Sequence, residues 1–234
     1  MTSRSTREDR PVLIAEELLL LAHDDLRSAP SLFDDAPYRL AGALLAELVL
    51  AGRVTLPPGG AAPAADGTVV VLDRSPTGRV ELDRVLDLAG AAPRRPVELV
   101  DLLARRVERP LLDGLVARGL LRREDRAVWG LLRSTRWRTV GGPAVAALRR
   151  RVHGVLLDGA PPSDRTAALV TLAEGAAWLQ PRVPRDRRRE AEGRMRELAA
   201  TWWEGAPTRE AVGAVAAAVV AVVSSAALLL PAAT

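Results

Sequence analysis

The chain predicts a single, mainly α-helical domain with a few short strands and one β-hairpin. Apolar residues recur at helical spacing, as at Leu40, Leu44 and Leu48. Strand-like runs are few and short, at Val54–Leu56 and Thr68–Leu72. A third observation is the absence of any internal repeat or convincing linker within 234 residues, a length that allows one large domain or two small ones. The polar stretch Met1–Arg10 reads as a disordered tail, with no apolar signal-peptide core before Pro11, and residues 11–230 read as one domain.

The elements follow in order. Val12–His23 reads as a helix, with a Leu18–Leu21 run too apolar for a surface. Ser28–Pro37 is a loop, and Tyr38–Ala51 is a second helix with Gly52 as its C-terminal cap. The Pro/Gly/Ala stretch Pro57–Gly67 separates the two short strands; no Lys-Ser/Thr follows its glycines, so it is no phosphate loop. Helices are expected at Leu82–Leu88, Val97–Val107 and Leu111–Arg118, with Pro110 in a first turn and Gly119 as a stop. Leu120–Arg122 and Ala127–Leu132 read as hairpin strands flanking a charged turn, Arg123–Arg126. Pro143–Leu157, Asp164–Leu179 with Ser163 as N-cap, and Arg185–Thr201 complete the helical set before a last helix capped by Thr208.

Ala211–Leu230 is twenty residues without a charge, about the length that spans a bilayer. Eight of them are Ala, which adds little apolar area, so the segment reads as a core helix in preference to a tail anchor. Trp178, Trp202 and Trp203 read as packing in the core or under that helix.

Composition excludes several functions. With no Cys there is no disulfide framework, thiol nucleophile or thiolate metal site, and two distant His make a His-based metal site unsuitable. The chain contains no Lys, so every basic side chain is Arg; with the high Ala, Gly and Pro this points to GC-rich coding and a bacterial source. Arg94–Arg151 holds fifteen Arg against six acids, a balance of +9 within a chain of net charge +4. Such a basic middle is the footprint of a polyanionic partner, lipid or nucleic acid, or else a solvated Arg-rich surface. Arg suits phosphate because its planar fork donates two hydrogen bonds at once.

Glu16, Glu17, His23, Asp24, Asp25 and Glu47 are the acid–base candidates. Glu17 and Glu47 lie within apolar runs, where a carboxylate needs a partner: either one becomes a raised-pKa acid in a pocket, or each pairs with an Arg. No nucleophile, orienting group or cofactor motif accompanies them, so no catalytic residue, cofactor or metal is assigned. His23 at a helix end reads as a charge favoured by the macrodipole.

Pro96–Thr139 also has the local plan of a winged helix, with Arg105, Arg106, Arg109 and Arg118 on a docking face and Arg133, Arg136 and Arg138 in the wing. The would-be recognition helix, Leu111–Arg118, carries only Asp113 and Arg118 to offer base edges, which argues against nucleic acid as the partner.

Four blocks, Glu16–Asp25 (EELLLLAHDD), Leu40–Val54 (LAGALLAELVLAGRV), Pro76–Leu82 (PTGRVEL) and Thr171–Leu179 (TLAEGAAWL), in this order and spacing, resemble the Golgi phosphoprotein 3-like family. The resemblance implies that family's helical domain and a non-enzymatic peripheral membrane protein that binds phosphatidylinositol 4-phosphate, cytoplasmic and peripherally membrane-associated. It implies a headgroup site built from an aromatic before the second helix, a basic residue entering that helix, and two basic residues three apart on a later helix. Carried over, these fall at Leu32 or Phe33, at Ala41, and at Arg105 and Glu108, with Arg39, Arg106 and Arg109 close enough to substitute. The expected headgroup set is Phe33, Arg39, Arg105, Arg106 and Arg109. The family's hairpin, associated with membrane contact and self-association, resembles Leu120–Leu132, which nominates Leu121, Val128, Trp129 and Leu131, with Trp137 a further interfacial candidate. Partners so implied are an anionic phospholipid surface, a second copy through the hairpin, and a client protein that no residue identifies; a protein-interaction scaffold without lipid affinity is the remaining alternative.

Overall fold

Helix α1 (Ile14–Ala22) is buried along its whole length, as expected for a nonamer carrying four consecutive leucines and no polar face. It belongs to a computed structural model that describes residues 10–23, 35–56, 67–128, 132–174 and 183–228, with the backbone alone for 125–128, 132–136 and 226–228. The termini, the segment 24–34 that holds Phe33, the loop 57–66, and residues 129–131 and 175–182 lie outside the described residues.

Helix α2 (Ala36–Leu50) is the hub. Leu40, Leu44, Leu45 and Leu48 are fully buried, and small residues between them let other helices approach closely. Gly42 shows the constraint: a Cβ there would lie 2.3 Å from Val219 Cγ2 on the last helix. The helix ends as predicted at Gly52, whose φ of 65° lets its N–H reach Val49 O at 3.0 Å while Arg53 N–H reaches Leu48 O at 2.9 Å. Gly119 ends a later helix in the same way.

Strands β1 (Val54–Thr55) and β2 (Val70–Val71) pair antiparallel, Val54 opposite Val71. Helices α3 (Val80–Ala91), α4 (Pro96–Ala104) and α5 (Glu108–Ala117) follow. Helix α4 stops three residues earlier than the periodicity predicts, at Ala104, and α5 begins before Pro110, at Glu108. The difference matters, because Arg105 and Arg106 then form a corner between helices and not a helical face.

The hairpin is longer than expected and its turn lies elsewhere. Strands β3 (Leu121–Val128) and β4 (Leu132–Thr139) pair from Leu121 opposite Thr139 to Val128 opposite Leu132. The charged run Arg123–Arg126 is therefore strand, and the connection falls at residues 129–131. Successive residues Arg122 and Arg123 are both exposed, so at that point neither face is covered. Where charged residues succeed one another in this way there is no apolar alternation to announce a strand, and the charges imitate a turn.

Helix α6 (Pro143–Leu157) has the predicted bounds. Helix α7 (Asp164–Ala173) starts at the predicted cap, with Ser163 Oγ accepting from Thr166 N–H, and ends at Glu174, which is extended. A 3₁₀ turn (Arg185–Arg187) leads into α8 (Arg188–Thr201). Helix α9 (Pro207–Leu228) begins one residue before Thr208, so Pro207 takes the first-turn position that needs no N–H donor and Thr208 does not cap. Residues 207–225 are long and apolar enough to cross a membrane, with mean hydropathy 1.4. Ala211, Val212, Ala214, Val215, Ala218 and Val219 are nevertheless buried in the same core as α2, α4 and α7, as the core-helix expectation requires; beyond them Val220 is 57 % exposed. Trp203 is buried against Gly213 of this helix, and Trp202 donates its indole N–H to Asp164 Oδ1 at 3.1 Å with Arg209 stacked on its ring.

Candidate functional site

The arginines divide into two populations. One is internal and binds the carboxylates of α1 and α2. Glu16, 1 % exposed, accepts from Arg79 Nη2 at 2.6 Å and Arg118 Nη1 at 3.0 Å, and its Oε2 also takes the Leu13 N–H at 2.8 Å. Glu17 pairs with Arg151 at 2.7 Å and lies 3.8 Å from Arg165 Nε. Glu47 accepts from Arg165 and takes the Ile14 N–H at 2.7 Å. Arg118 and Arg165 reach on to the carbonyls of Arg10 and Val12. Four elements thus pin the chain entering α1. Burial raises the Glu17 carboxyl above its usual range, and Arg165 and Arg151 pull it partly back. Arginine pairing is observed for both Glu17 and Glu47, and for Glu17 it accompanies a raised pKa.

Arg39, expected at a headgroup site, points inward. It is 6 % exposed, pairs with Asp35 at 2.6 Å, and donates to Leu172 O at 2.8 Å and Glu174 O at 2.6 Å. Those carbonyls lie at the end of α7, where a cation also meets the negative pole of the helix. Its role is to cap α7 on α2.

His23 closes α1, but not as a charge. Burial lowers its pKa to about 4, so the imidazole is neutral and the macrodipole expectation fails: desolvation outweighs the dipole. Its carbonyl accepts the Thr139 N–H at 3.2 Å, and Thr139 Oγ1 donates to Leu20 O at 2.9 Å, which fixes the hairpin's base to α1. Leu121, nominated for membrane contact, is 2 % exposed at that base and belongs to the core. Val128 is paired with Leu132 in the ribbon, with only its backbone described; Trp129 and Leu131 lie outside the described residues. Trp137 is half-buried, with the Arg109 guanidinium 5.9 Å from its ring centroid.

The second population is external and gathers at the α4–α5 corner. Arg105 and Arg109 are 71 % and 64 % exposed at their side chains, each with one exposed carboxylate a turn away: Asp101 at 3.1 Å and Asp113 at 2.9 Å. Arg106 is exposed and has no side-chain partner among the described residues; the same holds for Arg84 on α3. Arg84 and Arg106 line one shallow cavity of about 90 Å³, with Leu44, Leu103 and Val107 as its apolar floor and Glu81 on its wall. Glu81 is engaged by Arg79 at 3.4 Å. Glu108, the acid that breaks the implied basic pair, is half-buried, and burial raises its carboxyl above the usual range.

Among the expected headgroup residues, Arg105, Arg106 and Arg109 therefore share one corner and Arg39 does not join them. Arg84 was missed because it lies outside the basic segment Arg94–Arg151 and is the one Arg beside three acids in the helix Val80–Ala91. Within the winged-helix plan, α5 exposes Arg109 and Asp113 while Arg118 is committed to Glu16. Among the described residues no group of three or more acids or histidines is placed to hold a metal.

The Golgi phosphoprotein 3 (GPP34) family model matches residues 14–215. The chain is also similar to vacuolar protein sorting-associated protein 74 of Eremothecium gossypii, at 32 % identity over 137 residues. That stretch covers 51 % of this chain and 41 % of the relative, so well under half of the relative's length is represented.

Proposed function

The chain belongs to the Golgi phosphoprotein 3 family, and on that premise we propose that it is a non-enzymatic peripheral membrane module. Arg84, Arg105, Arg106 and Arg109 bind the phosphate of anionic phospholipid headgroups at a cytoplasmic membrane surface. The observation that carries this reading is the shared cavity of Arg84 and Arg106: two guanidinium groups from different elements, without partners among the described residues, over a shallow apolar floor. Phosphate meets both forks there, and Arg105 and Arg109 exchange solvated carboxylates, worth little as exposed pairs, for headgroup oxygens. Near an anionic surface each arginine contributes roughly 1 kcal/mol. Phosphatidylinositol 4-phosphate is the headgroup that kinship suggests, and the hairpin is where self-association or a client protein would be sought.

Liposome flotation tests the reading, with neutral, phosphatidylglycerol, cardiolipin and phosphatidylinositol 4-phosphate vesicles. The protein floats with anionic vesicles and stays down with neutral ones. A variant carrying Arg84→Glu, Arg105→Glu, Arg106→Glu and Arg109→Glu stays down with all four. Equal flotation of variant and wild type on anionic vesicles would end the assignment of this corner.

A further inference from the structure

A second cavity, of about 430 Å³, lies between α1, α6 and Val183, two residues before the 3₁₀ turn. Its wall is built from Leu21, Val152, Leu156, Leu157 and Val183, all buried within the fold yet bordering this space. Residues 149, 152, 153 and 156 recur at helical spacing, so a single face of α6 supplies most of the lining. The cleft is partly open to solvent, and its volume falls in the range of small-molecule sites. A wall so apolar holds water poorly and favours hydrocarbon. The polar groups on it among the described residues are Arg149, Arg150, His153 and Asp158. His153 and Asp158 face each other at 3.3 Å. Arg150 is exposed and has no side-chain partner among the described residues.

We propose that this cavity binds one acyl chain of an anionic amphiphile, with the chain against Leu21, Val152, Leu156 and Val183 and the carboxylate or phosphate at Arg150. The shared chemistry is a single hydrocarbon chain with an acidic head, whether a free fatty acid or a chain drawn from a membrane lipid. The site uses none of the residues of the α4–α5 corner, so it does not rest on the proposed headgroup function and each can fail alone.

The test is a titration of the full chain with cis-parinaric acid below its micellar concentration, read by fluorescence, then displaced by oleate. Saturable one-to-one binding is expected, with dodecylamine a poor competitor. Arg150→Glu alters an exposed side chain and leaves the unfolding midpoint unchanged; it weakens parinarate about tenfold, the loss of one charge-assisted hydrogen bond. Val152→Phe fills the cavity and abolishes binding, with retained helicity by circular dichroism as the fold control. Transfer of a fluorescent-chain phosphatidylglycerol out of vesicles, compared with uptake of the free acid, tells the two sources apart: transfer identifies a membrane lipid, and uptake of free acid alone identifies a fatty acid. No saturation, no uptake from either source, or equal affinity of wild type and Arg150→Glu overturns the proposal. The four-arginine corner variant retains parinarate binding if the two sites are separate.

Discussion

Arginine does opposite work in the two halves of this molecule. Around α1, Arg79, Arg118, Arg151 and Arg165 are drawn into the fold by Glu16, Glu17 and Glu47 and serve structure. At the α4–α5 corner, Arg105, Arg106 and Arg109, with Arg84 beside them, face solvent with at most one exposed carboxylate apiece. The side-chain chemistry is identical; what differs is where the nearest acid sits. A carboxylate in an apolar helix face needs a cation and recruits one across the fold. A carboxylate one turn away on a surface helix competes weakly, and leaves the cation available to a ligand.

The widest separation of the two regions comes from removing Glu16. Glu16→Ala leaves Arg79 and Arg118 without their shared carboxylate and the Leu13 N–H without an acceptor. Breaking a buried pair by deleting one partner costs about 3–5 kcal/mol, and urea unfolding should show a loss of that size. A loss under about 1 kcal/mol would mean that the internal arginines are no more structural than the external ones.

Acid should act on the interior through His23. Its folded pKa, near 4, lies below the ordinary 6.5, so the fold prefers the neutral imidazole. Stability from this group is complete above pH 6.5 and is lost as pH falls toward 4, by up to about 3 kcal/mol. Glu17 acts in the other direction: its raised pKa means that the fold holds its proton more tightly than the unfolded chain does, so its contribution grows on acidification. His23→Leu should therefore flatten the decline between pH 6.5 and 4, and an unchanged pH profile would show that His23 titrates normally.

The close approach of α2 and α9 sets the next effect. Gly42→Ala drives a methyl to 2.3 Å from Val219 Cγ2, a clash that the Val219 side chain or the helix itself must shift to relieve. Overpacking of this kind costs about 1–3 kcal/mol. Val219→Ala in the same chain should recover part of it, which plain loss of glycine flexibility would not.

These contrasts explain what could be read from residues alone. Each of the four family-like blocks contributes to the internal network: Glu16 and Glu17 belong to the first, Glu47 to the second, Arg79 to the third, and Leu172 and Glu174, whose carbonyls take Arg39, to the fourth. Buried positions constrain residue type and spacing, so fold and kinship were legible, and α6 and the caps at Gly52, Gly119 and Ser163 followed from local rules. The corner has no such pattern. Arg39 looked as available as Arg106, because nothing local reveals that the end of α7 arrives beside it, 133 residues later. Arg84 looked like an ordinary surface residue, because its association with Arg106 is tertiary. The hairpin turn was misplaced because the charged run Arg123–Arg126 carries no apolar alternation, although it is strand.

Neutral changes at the corner should separate stability from binding. Arg84→Ala, Arg105→Ala, Arg106→Ala and Arg109→Ala each should shift unfolding by no more than about 0.5 kcal/mol. Together they should lower partitioning onto phosphatidylglycerol vesicles by roughly a thousandfold at low salt, at about 1 kcal/mol per arginine. Wild-type binding should fall steeply as salt rises, since these charges are exposed. A variant that unfolds with the quadruple change would move the corner into the structural population.

The smallest effect bears most directly on whether local carboxylates silence the corner. Asp101 holds Arg105 at 3.1 Å while both side chains are about half exposed or more, a geometry worth about 0.3–0.5 kcal/mol. Asp101→Asn removes that competitor, and also a negative charge that a membrane would repel. Vesicle binding should therefore strengthen about twofold, with stability falling by no more than the pair's own worth. Asp113→Asn should do the same for Arg109, whose cation also rests over Trp137. If both changes leave binding untouched while Arg84→Ala and Arg106→Ala abolish it, the headgroup is held by the cavity pair alone, and Arg105 and Arg109 are bystanders. If both changes raise binding more than tenfold, the exposed carboxylates are strong competitors, and the distinction between internal and external arginines is one of degree.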